Sequence, residues 1–321
     1  MHSLISDAEV HPAPSIDDAS RYVVASRMMR SALLAIALAS TVTMPRVAAA
    51  QDSLSPPPSE KAAARPIVIG SSFELRSKVL GDVRRINVRL PDHYGEPGRR
   101  FPVLILLDGG EREDFLHIAG LTQITAAYGE GQELILVGVE GVDRRHDLTS
   151  PSSVAADRKV APTSGGAENY RRFLVEELRP WIEARYPSAG RAGLIGESLA
   201  GLFVLETLLR QPAAFDDYIA ISPSLWWDDG RLAKTAAQGL QAMPMSGRRL
   251  WLGFDEPAPP ADQAARERAL QDRMVAALRD ASPAGLTWTA ARVNEGHSSI
   301  YHPAALQALR ALYPATRPGG G

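Results

Sequence analysis

The stretch AGLIGESLAGLFV, residues 192–204, joins two patterns that belong to different secondary structures. Gly193, Leu194 and Ile195 end a short buried strand, whereas Leu199, Leu202, Phe203, Leu205, Leu208 and Leu209 recur as the apolar surface of a buried helix. Between them lies Gly196-Glu197-Ser198-Leu199-Ala200-Gly201. A strand that becomes a helix within so few residues must hold its central residue in a strained conformation with small neighbours two positions away, which exposes the Ser198 side chain at the turn. The usual spacing of such an elbow is G-x-S-x-G; here Ala200 takes the last position, one methyl larger than glycine, and Gly201 follows. A serine that merely caps a helix would suit the same residues. The rest of the chain has to separate a nucleophile from a cap.

Working outward, the strand patterns alternate with helical ones. Ile67, Ile69, Phe73, Leu75, Val83, Ile86, Val88 and Leu90 read as antiparallel strands at a sheet edge, and 92–100 as a polar loop. Phe101 to Leu107 is a continuous apolar run, the mark of a strand covered on both faces, and ends in Asp108-Gly109-Gly110. A second run, Leu134 to Val139, leads into Asp143-Arg144-Arg145-His146-Asp147. A helix follows with Tyr170, Phe173, Leu174, Leu178, Trp181 and Ile182 on one side, expected to bend at Pro180. Beyond the elbow, Tyr218 to Ile221 is a strand opening on Ser222-Pro223-Ser224-Leu225-Trp226-Trp227, and Leu250 to Leu252 a strand opening on Gly253-Phe254-Asp255-Glu256. A long helix carries Leu270, Met274, Ala277 and Leu278; a last strand covers 286–293, Gly296-His297 lies just past it, and Pro303 suits the first turn of a closing helix. Such alternation predicts an α/β fold with a mostly parallel central sheet and helices on both faces, whose ligands bind beyond the carboxyl ends of the strands. Every polar cluster named above lies at such an end. No internal repeat or second core is visible, so 66–314 is expected to be one domain.

A formal net charge of -2 points to neither nucleic acid nor an anionic membrane surface as a partner. The absence of cysteine excludes a thiol nucleophile, a disulfide framework and a Cys-based zinc site. No H-E-x-x-H or paired-His motif suggests a metal hydrolase, and neither metal nor other cofactor is expected. Arg27, Met28, Met29 and Arg30 precede an apolar run from Ala32 through Val42, and Ala48-Ala49-Ala50 has the small-residue character of a signal-peptidase site. The expectation is an export signal over 28–50, translation starting at Met28 or Met29, an extension over 1–27 that is not native, a flexible lead-in over 51–65, a disordered tail over 315–321, and a periplasmic or secreted product. The apolar run is too short for a comfortable membrane span.

A serine hydroxyl needs a base within hydrogen-bonding reach, and that base an orienting acid. Beyond Ser198 only His297 and His302 remain. His297, in a Gly-His-Ser loop after a strand, is the expected base, and His302, next to Pro303, reads as a cap or surface residue. The acid is expected in the loop after the preceding strand, with Glu256 first and Asp255 in reserve; both also suit a helix N-terminus as plain solvated carboxylates. Asp228 and Asp229 come later in preference. Acyl transfer further requires two N–H groups aimed at an oxyanion. The Leu199 amide, heading the helix, is one; the second is sought in the 108–110 turn, with Gly110 first and Glu111 or Gly109 as alternatives.

Taken together, RLPDHY, FPVLILLDGG, RRHDLTSP, FLVEELRPWI, GESLAGLF, ISPSLWW and the terminal GH resemble the esterase branch of the α/β-hydrolases, which includes esterase D-like enzymes and the periplasmic trilactone siderophore esterases. The likeness runs from about Pro66 to Tyr313. It implies the α/β-hydrolase fold and a serine esterase with Ser198 as nucleophile and His297 as base, acting on a small-molecule ester. Glu256 resembles the family's acidic position, although some trilactone esterases work with a Ser-His pair alone. Trp226 and Trp227 resemble an aromatic wall beside the nucleophile; adjacent residues face opposite ways, so one of them is expected in the core. Arg144 and Arg145 are candidates for a substrate's acidic or catecholic group, with pairing to local carboxylates as their ordinary alternative. The expected reaction is carboxylic-ester hydrolysis through an acyl-enzyme, on a siderophore lactone or a phenolic ester. Acyl transfer to an alcohol at the same site, and a non-catalytic binding protein of this fold, are the alternatives.

Overall fold

A computed structural model describes residues 65–256, 260–281 and 284–315. The expected upstream extension, export signal, lead-in through residue 64 and tail from residue 316 lie outside the described residues. In chain order the elements are β1 (Ser71–Arg76), β2 (Val83–Arg89), β3 (Phe101–Leu107), α1 (Phe115–Ala127), β4 (Ile135–Val139), α2 (Arg144–Asp147), α3 (Ala155–Val160), α4 (Ala167–Arg172), a π-helical segment (Phe173–Leu178), α5 (Arg179–Glu183), β5 (Ser188–Glu197), α6 (Leu199–Arg210), β6 (Asp217–Ile221), α7 (Trp227–Ala242), β7 (Arg248–Phe254), α8 (Ala261–Ala281), β8 (Leu286–Arg292) and α9 (Tyr301–Leu312).

The eight strands form one sheet in the order β1-β2-β4-β3-β5-β6-β7-β8. β1 and β2 run antiparallel to their neighbours, and β3 to β8 are parallel throughout. Successive side chains of a strand point to opposite faces, and β3 divides accordingly. Leu104 and Leu106 pack with Phe115, Ile118 and Ala305 on the face covered by α1 and α9. Val103, Ile105 and Leu107 join Phe173, Phe203, Leu240 and Met274 on the face covered by α4 to α8. Both surfaces of the strand are dry, which is why its sequence is apolar without alternation.

Four local readings differ from the sequence expectation. Ile67 and Ile69 are exposed and precede β1 instead of joining it. The irregularity in the helix after the Arg144 region falls ahead of Pro180, as the π segment over Phe173–Leu178. Proline has no N–H to give and its ring crowds the carbonyl four residues back, so widened bonds ahead of it relieve the clash. Helices α1 and α7 have no counterpart in the pattern reading. α1 is almost uniformly apolar or neutral over FLHIAGLTQITAA and shows no polar face, while α7 begins with Asp228, Asp229 and Gly230 in left-handed backbone, which hides its start.

Parallel strands put their carboxyl ends along one rim. The segments after β3, β5, β6, β7 and β8 carry Asp108, Ser198, Ser222, Asp255 and His297 to that rim.

Candidate active site

β5 passes directly into α6 at Ser198, whose φ of 60° and ψ of -119° lie outside the usual regions for a non-glycine residue, at a cost of about 1–3 kcal/mol. Neighbouring backbone fastens it there. The Ser198 N–H donates to the Ile221 carbonyl at 3.0 Å, and the Ser198 carbonyl accepts from Leu202 at 2.9 Å and Ser224 at 3.0 Å. Crowding explains the small residues. A Cβ on Gly201 would lie 2.6 Å from the Ile221 oxygen, and one on Gly196 would lie 2.6 Å from the Ala200 Cβ. The extra methyl of Ala200 is therefore accommodated because position 196 has none.

His297 brings Nε2 to 3.0 Å from Ser198 Oγ. Its Nδ1 lies 2.8 Å from Ser222 Oγ and 3.4 Å from Asp255 Oδ2. With the proton on Nδ1, the ring donates towards Ser222 and Asp255 and leaves Nε2 free to accept from Ser198, the arrangement a general base requires. The hydrogen bond to Asp255 raises the imidazole above its ordinary pKa, against an opposing effect of burial, with the Glu197 and Glu267 carboxylates adding to the rise. Burial would push Asp255 up, but its hydrogen bonds to His297 and Ser222 prevail and hold it below the usual aspartate value. Gln271 of α8, also buried, donates to Asp255 Oδ1 at 3.5 Å.

The carboxylate on the Nδ1 side of the imidazole is thus Asp255, and the expectation for Glu256 is corrected. Extended backbone sends consecutive side chains to opposite sides. The Glu256 N–H donates to the Glu295 carbonyl at 2.9 Å, and its side chain turns out to an ion pair with Arg268 at 2.5 Å. Asp228 is occupied elsewhere, accepting from the Ser153 backbone and hydroxyl at 2.8 and 2.9 Å.

Gly110 is likewise corrected as an oxyanion donor, because its N–H already donates to Glu113 Oε2 at 2.7 Å. Gly109 donates to the Val139 carbonyl at 2.8 Å. Of the three residues considered, Glu111 is the one whose N–H meets no acceptor among the described residues. Leu199 heads α6, where the first N–H groups have no intrahelical acceptor.

A cavity of about 380 Å³ opens beside His297, lined by Ser222 to Trp226, Asp255 and the polar α8 residues Gln263, Glu267 and Gln271. Trp226, 37% exposed, forms part of its wall, whereas Trp227 is buried. Trp227 donates its indole N–H to the Ser150 carbonyl at 3.0 Å and borders a separate cavity between α6 and α7, which corrects its expected place at the substrate. Neither arginine lines the His297 cavity. Arg144 pairs with Asp108 at 2.8 Å, and Arg145 is exposed.

Two further carboxylates accompany the elbow. Burial raises Glu197 to about 7, and the His297 and Arg144 charges only partly oppose it. Burial together with the Asp108 charge raises Asp114 to about 6. Among the described residues no group of three or more His, Asp or Glu is placed to hold a metal ion. Sequence reasoning passed over Ser222, Ser224, Gln271 and Glu197. The ISPS segment at the end of β6 was the available signal for the two serines. Ser224 Oγ lies 3.3 Å from Ser198 Oγ.

Comparison with known proteins places the chain in a family. The Esterase family model, described as "Putative esterase", matches residues 77–279. The ferri-bacillibactin esterase BesA of Bacillus subtilis is 33% identical over 151 residues, covering 41% of this chain and 50% of that protein. A siderophore enterobactin esterase of Emericella nidulans is 39% identical over 95 residues, covering 27% and 31%. The chain thus spans half or less of the length of these curated relatives. Among solved structures, an IroE-like serine hydrolase from Shewanella oneidensis superposes with a TM-score of 0.69 at 24% identity, over 76% of this chain and 80% of that one. The BES protein of Bacillus cereus superposes with a TM-score of 0.65 at 23% identity, over 78% and 98%. At such identities the likeness establishes the α/β-hydrolase fold, and the family match, covering well over half of the sequence, establishes that this chain belongs to the Esterase family of that superfamily.

Proposed function

We propose that this protein hydrolyses carboxylic esters through an acyl-enzyme on Ser198. The observation that carries the reading is the 3.0 Å approach of His297 Nε2 to a serine hydroxyl held in strained backbone. As Ser198 Oγ bonds to the ester carbonyl carbon, its proton passes to Nε2, and Asp255 stabilises the resulting imidazolium. The carbonyl oxygen, now an oxyanion, takes the Leu199 N–H and a second donor from the turn after β3, for which Glu111 is the available amide. The imidazolium then gives its proton to the departing alcohol. Water, deprotonated by the same ring, attacks the acyl carbon and releases the acid and Ser198.

For the natural substrate we favour a siderophore ester, a reading supported by relatives named as esterases of ferri-bacillibactin and enterobactin. Export belongs to the same proposal; no described helix is long and apolar enough to cross a membrane, and N-terminal sequencing of the mature protein tests where it begins. The deciding experiment compares wild type with Ser198→Ala on p-nitrophenyl esters, followed by a panel that includes siderophore lactones. Removal of the nucleophile should lower kcat/KM by about a thousandfold or more. Activity unchanged by that substitution overturns the mechanism.

A further inference from the structure

Every part of the proposed reaction passes through His297, and one neighbour of that ring has no role yet. Glu197 occupies the variable position of the elbow, so its placement follows from the strained turn itself. Its Oε1 lies 3.4 Å from His297 Nε2; this atom is buried and meets no hydrogen-bond partner among the described residues. The imidazole therefore sits between two carboxylates, Asp255 on the Nδ1 side and Glu197 on the Nε2 side. We propose that Glu197 is a positioning residue that stabilises the imidazolium at its Nε2 edge beside Ser198 and sets the pH range in which the ring acts as a base. This rests on the esterase reading and deepens it.

The charge balance around the pair supports the assignment. Glu197 is influenced by Arg144, which is tied to Asp108 after β3, by Asp114 at the start of α1, and by His297 itself. Tyr301 of α9 also feels Glu197, Asp108 and Asp114, and its hydroxyl is buried without a partner. His297 faces the carboxylates of Asp255, Glu197 and Glu267. Arg144, the guanidinium that acts on Glu197, is largely committed to Asp108, which leaves the imidazolium well placed to be stabilised by Glu197. Two groups this close lose their protons as a coupled pair. An ionised Glu197 favours the charged ring, so His297 must be taken to higher pH before Nε2 can accept the serine proton. The acid limb of kcat/KM then belongs to the pair.

The test is the pH dependence of kcat/KM on a p-nitrophenyl ester for wild type and Glu197→Gln. With the ring half-exposed, removal of the charge should lower the acid-limb pKa by about half to one unit, the small end of what an opposite charge at this distance produces. The plateau at alkaline pH should fall several-fold because the imidazolium formed as Ser198 gives up its proton loses one of its two carboxylates. A residue that is only structural would change stability or the plateau and leave the limb in place, and an unmoved limb overturns the proposal. Should Glu197→Gln fail to fold, Glu197→Asp keeps the charge but withdraws it by one methylene; its limb should still fall, by less, and a limb identical to that of wild type refutes the assignment. The imidazole resonance of His297, titrated in Ser198→Ala with and without the Glu197 substitution, gives the same reading without turnover. Failure of the esterase reading would therefore show as wild-type activity that is absent or indifferent to Ser198→Ala, and failure of this proposal as an imidazole indifferent to residue 197.

Discussion

Replacing Asp255 by Asn and, separately, Glu256 by Gln discriminates between two adjacent carboxylates whose surroundings differ. At 3.4 Å from Nδ1, an ionised Asp255 attracts the imidazolium by about 5 kcal/mol at an effective dielectric near 20 and by about 1 kcal/mol with water-like screening. The aspartate side chain is buried but that of His297 is 54% exposed, so the working value lies between these limits, at about 2–4 kcal/mol. Converted at 1.36 kcal/mol per decade, Asp255→Asn should lower kcat/KM by about 30- to 1,000-fold. Complete loss is not expected, because Ser222 remains at 2.8 Å to take the Nδ1 proton. Glu256→Gln removes only a surface ion pair with Arg268, of the kind that contributes little, and should change kcat/KM by less than about threefold. Steady-state kinetics on a p-nitrophenyl ester at pH 8, with circular dichroism to confirm folding, reads both variants. If Glu256→Gln costs more activity than Asp255→Asn, the assignment of the orienting carboxylate is wrong.

The adjacent tryptophans should separate in the same manner. Trp226→Ala should raise KM with little change in melting temperature, whereas Trp227→Ala should cost about 3–5 kcal/mol of stability; reversed outcomes would mean that the cavity wall has been misassigned. At the opposite end of the sheet, Asp217 of β6 is fully buried between Arg191 and Arg249, with contacts of 2.6 and 2.7 Å, and both arginines keep some solvent. Asp217→Asn should destabilise the fold by about 3 kcal/mol in denaturant titrations while kcat of the folded fraction holds, and a loss of kcat without a loss of stability would contradict this. The fourth expectation concerns Glu197. Burial raises its folded pKa from 4.5 to about 7, so between those values the folded protein keeps a proton that the unfolded chain has lost, and stability falls as pH rises. Glu197→Gln lacks this penalty, so its melting temperature should gain on that of wild type between pH 5 and pH 8; a constant difference would argue against a buried, titrating carboxylate.

What could be read in the sequence was what depends on local pattern. The apolar run of β3 and the strand-to-helix change at Ser198 each follow from side-chain periodicity, and the placement of His297 after the last strand follows from the order of elements. Choosing between Asp255 and Glu256 did not, because both lie past the same strand and only the direction of one extended residue distinguishes them. Gly110 was chosen for its lack of a side chain, yet its N–H is taken by Glu113, three residues further on, a bond that no spacing rule announces. Glu197 was legible only as the variable residue of an elbow. Its meaning lies in how deeply the turn buries it and in a ring supplied from a loop about a hundred positions away. Helices α1 and α7 escaped because one lacks a polar face and the other starts in left-handed backbone, so neither shows the contrast on which amphipathic reading relies.

The two rims of the sheet carry different chemistry. At the amino end, Asp217 accepts from two guanidinium groups. At the carboxyl end lie a serine in strained backbone and, among the described residues, a Glu197 oxygen without a donor and a Tyr301 hydroxyl without a partner. Each of these works against stability, and they persist only where surrounding structure fixes them. The parallel sheet supplies that fixing: β6 holds the elbow through Ile221 and the segment after it through Ser224, and β7 continues into Asp255, so the strained residue and the imidazole's partner are carried by paired neighbouring strands. Relieving the strain by a glycine at 198, or the burial by a neutral residue at 197, would make a more comfortable rim. It would also remove the hydroxyl in the first case and free the ring from one of its two carboxylates in the second. These features lie at the rim where chemistry requires a hydroxyl, a base and charge to be held close together.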